Sequence, residues 1–186
     1  MYLPEEDSYL VQKHIKEFCN PKSDSFSVLD MGTGSGIQAF EASKYAKKVI
    51  ACDIDAKAIT LLKKNIKTKR KMFPYFVRIS PLESDLFSKI HKKQKFDLII
   101  FNPPYLPSKK NEFKYIDIDG GKNGTKIIEK FLKQAKKFLK INGNILLLTS
   151  SLNKNIESIF KKYHYKYFLL DEEKFFFEKL FLWLLE

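Results

Sequence analysis

The sequence predicts an α/β fold: a mainly parallel sheet covered by helices on both faces and ending in one antiparallel hairpin. Three observations predict it. Short apolar runs of strand length alternate with amphipathic runs of helical period along most of the 186 residues. Ser27-Val28-Leu29-Asp30-Met31 and Leu98-Ile99-Ile100-Phe101 read as strands buried in a parallel sheet, whose apolar runs are nearly continuous. The last two strand candidates are separated by too few residues for a helical crossover, so they pair antiparallel.

The elements follow in order. Ser27–Met31 is the first strand, and a glycine turn leads to a helix from about Ile37 to Ala46. Val49–Cys52 is the second strand, ending at Asp53, and the next helix carries Ala58, Ile59, Leu62 and Ile66 on one face. Tyr75–Ser80 is the third strand candidate. Phe96–Phe101 is the fourth, cut off by Pro103-Pro104, which cannot donate ladder hydrogen bonds. Leu106 to Gly124 is a polar loop of a length that is usually functional or disordered. A helix from about Thr125 to Leu139 shows Ile127, Ile128, Phe131, Leu132, Ala135 and Leu139 at helical spacing. Asn142-Gly143 turns into strand five, Asn144–Thr149, and Asn153–Tyr163 is a helix. Tyr165–Leu170 and Phe175–Leu185 are the final strands, joined by the acidic turn Asp171-Glu172-Glu173. No repeat, low-complexity tract or Pro/Gly linker divides the chain, so residues 1–186 are expected to form a single domain.

Composition excludes several classes. Cys19 and Cys52 are too few for a disulfide framework and lack the spacing of a zinc site. Met1 to Asp7 carries three acids and no apolar run, unlike a secretory signal, and no apolar stretch approaches the ~20 residues that span a bilayer. A cytoplasmic setting without membrane contact is the expectation. The net charge of +12 favours acidic or nucleic-acid partners, but Arg70 and Arg78 are the only arginines. Arginine is the better phosphate fork, so a solvated lysine surface is favoured over a dedicated nucleic-acid surface.

Asp30-Met31-Gly32-Thr33-Gly34-Ser35-Gly36 sits between a strand and a helix, where open α/β sheets bind ligands. Glycines let the backbone turn tightly and a ligand come close. A dinucleotide loop is the competitor, but the third glycine stands one residue early. Asp30 also favours a cation: a carboxylate there can hold the amino group of S-adenosylmethionine and would repel a pyrophosphate. Asp53, ending the second strand, can accept both ribose hydroxyls; the alternative is a cap for the following helix, for which Asp55 is better placed. Glu83 and Asp85 compete for the adenine amino group.

Asn102-Pro103-Pro104-Tyr105 follows the fourth strand, at the edge where the cofactor is expected. The plain alternative is a rigid turn, which leaves the flanking Asn and Tyr unexplained. An amide or exocyclic amino nitrogen has a delocalised lone pair and two N–H donors in one plane. The Asn102 side-chain oxygen and the Pro103 carbonyl can accept both hydrogens, and proline has no N–H to compete. Holding both directs the nitrogen toward a methyl sulfonium and stabilises charge developing on it. Tyr105 can stack on the planar group. No metal or strong base is required, and His14, His91 and His164 stand in no motif.

With these residues in place, the chain resembles the HemK-type glutamine N5-methyltransferases, which modify the Gly-Gly-Gln loop of translation release factors. It is most similar to their short eukaryotic and archaeal branch. The resemblance rests on Tyr2-Leu3-Pro4-Glu5-Glu6-Asp7-Ser8-Tyr9-Leu10, Phe101-Asn102-Pro103-Pro104-Tyr105-Leu106-Pro107 and Gly120-Gly121-Lys122-Asn123-Gly124. It implies a class I, Rossmann-like methyltransferase with seven strands in the order 3-2-1-4-5-7-6. It places Ser8 over the cofactor, Asp30 and Gly32 at its methionine part, Asp53 at the ribose, and Asp85 with Leu86 at the adenine, with Gly34, Gly36 and Asn102 also binding the cofactor. Asn102, Pro103, Pro104 and Tyr105 would bind the substrate amide, and Gly120-Gly121 would help cover it. Asp117-Ile118-Asp119 stands where the family usually has Ala-Trp-Ala, removing an aromatic contact and adding two charges. The N-terminal helical domain of bacterial members has no counterpart here.

Short-branch members pair with a small zinc-binding activator protein, which implies a heterodimer through the third-strand edge. Met72-Phe73-Pro74-Tyr75-Phe76-Val77 is expected there, either open to a partner or packed inward. Three functions compete: release-factor glutamine methylation, N-methylation of adenine or guanine in nucleic acid, and a degenerate non-catalytic scaffold. The intact Asp30, Asp53 and Asn102-Pro103-Pro104-Tyr105 argue against the scaffold. The lack of room for a dedicated nucleic-acid domain argues against the nucleobase.

Overall fold

The computed structural model describes residues 6–21, 23–104, 124–175 and 178–186. Seven strands form one sheet: β1 (Ser27–Met31), β2 (Lys48–Asp53), β3 (Ile79–Glu83), β4 (Phe96–Phe101), β5 (Leu139–Ser150), β6 (Tyr167–Lys174) and β7 (Lys179–Leu185). Their order is β3-β2-β1-β4-β5-β7-β6. The first five are parallel, while β7 runs antiparallel to β5 and to β6. This is the expected class: a seven-stranded, mainly parallel sheet closed by a reversed hairpin.

The central strands are buried on both faces because period-two alternation feeds two cores. Leu98 and Ile100 of β4 join Val28, Leu146 and Leu148 in one cluster; Ile99 and Phe101 join Leu29, Met31 and Leu147 in the other. Helix α4 (Lys126–Ala135) covers the second face through Ile128, Phe131 and Leu132. Helix α2 (Ile37–Ser43) covers the first through Ala39 and Ala42. The remaining helices are α1 (Glu6–Phe18), α3 (Ala56–Lys69) and α5 (Ile156–Lys162). Helix α1 was not expected from the sequence. Its Leu10, Val11 and Ile15 are fully buried against the first face, each contributing about 1.5–3 kcal/mol. That burial fixes the first turn of α1 over the sheet.

Several boundaries differ from expectation, each for a local reason. The third strand is Ile79–Glu83, not Tyr75–Ser80; Pro74–Arg78 is a 3-10 turn with proline at its start. Proline's fixed φ suits that start, and Phe76 turns inward onto Phe40, ring centroids 4.4 Å apart. Asp171-Glu172-Glu173 lies within β6 and is not a turn. Lys13 and His14 of α1 each reach Asp171 at 2.8 Å, and Lys179 of β7 reaches Glu172 at 3.3 Å, so these two acids are satisfied in the strand. Strand β5 begins at Leu139, with a register shift between Phe96 and Leu98 of its partner. A Cβ on Gly143 would meet the Phe96 carbonyl oxygen at 2.9 Å, so this irregular stretch requires glycine. Among the described residues, no helix is long and apolar enough to cross a membrane.

Candidate active site

The carboxyl ends of β1 and β4 lie side by side, with Met31 opposite Phe101 in register. The glycine turn after β1 therefore meets Asn102 after β4. Gly32 has φ 65°, a left-handed backbone that favours glycine, and a Cβ there would stand 3.5 Å from the Phe101 ring and 3.9 Å from the Asn102 carbonyl oxygen, which places the turn against the end of β4. Gly36 introduces α2 at φ 86°, and a Cβ there would lie 2.6 Å from Leu62 Cδ1. Glycine allows both the left-handed turn and the close seating of α2 on α3.

Asp30 is 1% exposed, and its Oδ2 accepts a 2.6 Å hydrogen bond from the Thr33 hydroxyl. Burial pushes its carboxyl from 3.8 up to about 7, against the opposing hydrogen bonds from Thr33 and the Ala39 backbone. A buried carboxylate so weakly compensated is a receptor for a cation.

Asp53 Oδ2 accepts from the Gly34 N–H at 2.8 Å, and Oδ1 accepts from the Asp55 N–H at 2.9 Å. Asp53 is thus built into the glycine loop and does not cap α3. That cap is Asp55, which accepts from the Lys57 N–H at 2.8 Å. Each Asp53 oxygen keeps a lone pair for a further donor.

The Ser84 N–H donates to the Asp53 carbonyl at 2.8 Å, tying the next segment to the same edge. Leu86 is buried there at φ 46°, and the exposed Asp85 is paired with Lys130 Nζ of α4 at 2.9 Å. Glu83, its competitor, faces Lys89 at 3.9 Å. Ile54, beside Asp53, is large, apolar and exposed.

Asn102 Nδ2 donates to Asp7 Oδ2 at 3.1 Å, while its Oδ1 is buried with no hydrogen-bond partner among the described residues. Pro103 is buried and Pro104 exposed. Ser8 is buried, and its N–H and hydroxyl both donate to Asp7 Oδ1, at 2.5 and 3.2 Å. The Ser8 carbonyl accepts from Gln38 Nε2 at 2.8 Å, and Gln38 Oε1 is a second buried acceptor without a partner. The structure thus gathers Ser8, Asp30, Gly32, Gly34, Gly36, Asp53, Asp85, Leu86, Asn102, Pro103 and Pro104 at one edge of the sheet. Tyr105, Asp117-Ile118-Asp119, Gly120 and Gly121 lie outside the described residues.

Asp7 and Gln38 are site residues not expected from the sequence. Asp7 stands inside the motif quoted for Ser8, but its partner is distant in sequence and only the fold joins them. Burial pushes the Cys19 and Cys52 thiols upward, so neither is a nucleophile near neutral pH. No group of three or more metal-ligating side chains occurs among the described residues.

Residues 10–177 match the family described as Methyltransferase small domain. The chain belongs to that family. This methyltransferase is 37% identical over 166 residues to a Methanocaldococcus jannaschii protein named as a protein N5-glutamine methyltransferase, covering 87% of this chain and 78% of that one. It is 38% identical over 129 residues to a release factor glutamine methyltransferase of Borreliella burgdorferi, covering 64% of this chain and 43% of that one. This methyltransferase therefore spans under half the length of that bacterial relative. Its fold matches the E. cuniculi Mtq2–Trm112 complex, described as responsible for methylation of the eRF1 translation termination factor. The TM-score is 0.72 at 21% identity, over 100% of this chain and 97% of that one.

The fold also matches a T. Thermophilus 16S rRNA N2 G1207 methyltransferase described in complex with AdoMet, with a TM-score of 0.73 at 18% identity over 99% of this chain and 43% of that one. The donor set here fits S-adenosylmethionine: a buried carboxylate suited to a cation at Asp30, a second carboxylate with free lone pairs at Asp53, and a left-handed glycine turn at Gly32.

Proposed function

We propose that this methyltransferase modifies the side-chain amide nitrogen of the glutamine in the Gly-Gly-Gln loop of a translation release factor. The observation that carries the reading is Asn102 Oδ1: a buried acceptor without a partner, beside the glycine loop. An unsatisfied buried acceptor costs about 1–3 kcal/mol, and a substrate amide N–H relieves that cost. The Pro103 carbonyl accepts the second hydrogen, so the planar nitrogen is held by both of its donors.

S-adenosylmethionine supplies an electrophilic methyl carbon. Asp30, Gly32, Gly34 and Gly36 hold its methionine part, Asp53 its ribose hydroxyls, and Asp85 with Leu86 the adenine edge. Ser8 closes over it from α1, and exposed Ile54 offers an apolar face to the ring. The Asp85–Lys130 pair is solvent-exposed and weak, so adenine can share or displace it. As the methyl transfers, positive charge grows on the glutamine nitrogen, and Asn102 Oδ1 and the Pro103 carbonyl stabilise it. The proton lost afterward leaves from an acidified nitrogen and needs no strong base. Tyr105 stacks on the amide and Gly120-Gly121 cover it.

The partner is a small zinc-binding activator protein, paired along β3 into a heterodimer. Among the described residues β3 has a neighbour on one side only, and exposed Met72 (78%) and Val77 (67%) precede it in the chain. Phe73 and Phe76 pack inward against each other, ring centroids 5.1 Å apart, and leave the open edge and those two side chains as the contact surface. The names of the Borreliella relative and of the E. cuniculi complex support both the substrate and the small partner.

The test is methyl transfer by the purified complex to a release factor and to its Gln→Ala loop variant. Transfer to the first and not the second is expected. Equal labelling of both, or faster transfer to bare RNA or DNA, overturns the reading.

A further inference from the structure

We infer that Asp7 is the positioning residue that sets which way the Asn102 amide faces. The inference rests on the role proposed above for Asn102 Oδ1.

A terminal amide has an oxygen and a nitrogen of nearly equal size, and only its hydrogen bonds decide which is where. Among the described residues, the three groups that hydrogen-bond the Asp7 carboxylate are donors: the Ser8 N–H at 2.5 Å, the Ser8 hydroxyl at 3.2 Å and Asn102 Nδ2 at 3.1 Å. A carboxylate is acceptor-only and satisfies all of them. Reversing the Asn102 amide would bring two oxygens to the 3.1 Å now spanned by the hydrogen bond. Asp7 thereby excludes the reversed form and leaves Oδ1 toward the substrate.

The support behind Asp7 is itself fixed. Asp7 is 4% exposed, Gln38 of α2 holds the Ser8 carbonyl at 2.8 Å, and Leu10, Val11 and Ile15 seat the helix. Substrate orientation therefore depends on α1 as well as on the strand that carries Asn102.

The test exchanges the two side chains. In Asp7→Asn, the Ser8 N–H still requires an acceptor, so the new oxygen faces Ser8 and the new NH2 faces residue 102. Asn102 then turns over to accept from it and presents a donor to the substrate's donor. In Asp7→Asn/Asn102→Asp the pattern is restored with roles exchanged: Asn at 7 donates, Asp at 102 accepts, and one carboxylate oxygen faces the substrate.

Asp7→Asn is expected to lower kcat by about 10²–10³-fold, the loss typical of one transition-state hydrogen bond. Its S-adenosylmethionine Kd should stay within about threefold of wild type. The double variant should recover kcat to within about tenfold of wild type. The Asn102 side-chain NH2 signals in a 15N spectrum of the substrate-free protein supply a readout independent of the substrate's identity. They should show slow hydrogen exchange in wild type and lose it in Asp7→Asn. Wild-type kcat in Asp7→Asn, a double variant no better than the single one, or unchanged NH2 signals overturns the inference. Slow exchange in a wild-type protein that methylates no release factor would sink the proposed substrate while leaving the orientation intact.

Discussion

Asp30 offers a prediction whose sign changes with pH. Its carboxyl sits at about 7 in the folded chain against an ordinary 3.8, chiefly because burial penalises the charge. Each pKa unit corresponds to about 1.4 kcal/mol, so the folded protein carries a penalty of about 4 kcal/mol once Asp30 is ionised. A carboxyl raised on folding contributes stability fully below pH 3.8 and loses it as the pH rises through about 7. Asp30→Asn removes that penalty. Asparagine can still accept from the Thr33 hydroxyl, but it cannot also accept from the Ala39 N–H through its NH2, a loss of about 1–2 kcal/mol. The variant should therefore be about 1–2 kcal/mol less stable than wild type near pH 3.5, where Asp30 is protonated in both folded and unfolded chains, and about 2 kcal/mol more stable near pH 8. For a chain of this size, 2 kcal/mol moves Tm by about 4–8 °C. Thermal melts without cofactor at the two pH values measure it. A Tm difference that is the same at both refutes the reasoning.

Cofactor affinity should move oppositely: wild-type S-adenosylmethionine binding strengthens as pH rises toward about 7, and calorimetric titration of Asp30→Asn should show weaker binding without that rise. Gly36→Ala should lose about 2–4 kcal/mol in urea unfolding, combining a left-handed backbone with a Cβ 2.6 Å from buried Leu62. Asp53→Ala should weaken cofactor binding and also free the Gly34 N–H, so hydrogen exchange at Gly34 should speed up. Lys130→Met removes an exposed pair and should change stability by no more than about 1 kcal/mol.

Much of the sheet was legible in the sequence because its central strands are buried on both faces. β1 and β4 fall at their expected bounds, and Pro103-Pro104 ends β4 whatever surrounds it. The third strand was not legible: clustered aromatics imitated a β-run, and only the contact with Phe40 shows that Phe76 belongs to a turn. The acids of β6 looked like a turn because Lys13 and His14, which satisfy Asp171, come from distant α1. At the site, Asp30 and Asp53 could be placed from strand ends and glycine spacing alone. The choice of Asp55 over Asp53 as helix cap was also legible, since capping is local. Asp7 was not, because a hydrogen bond to Asn102 leaves no periodic or spacing signal in the sequence.

The most direct test of the central claim is tandem mass spectrometry of the Gly-Gly-Gln peptide from a release factor incubated with S-adenosylmethionine and the purified complex. A single methyl on the glutamine side chain, absent with Asn102→Ala although that variant still binds cofactor, is the predicted result. An unmodified glutamine, or one equally methylated by Asn102→Ala, would contradict it.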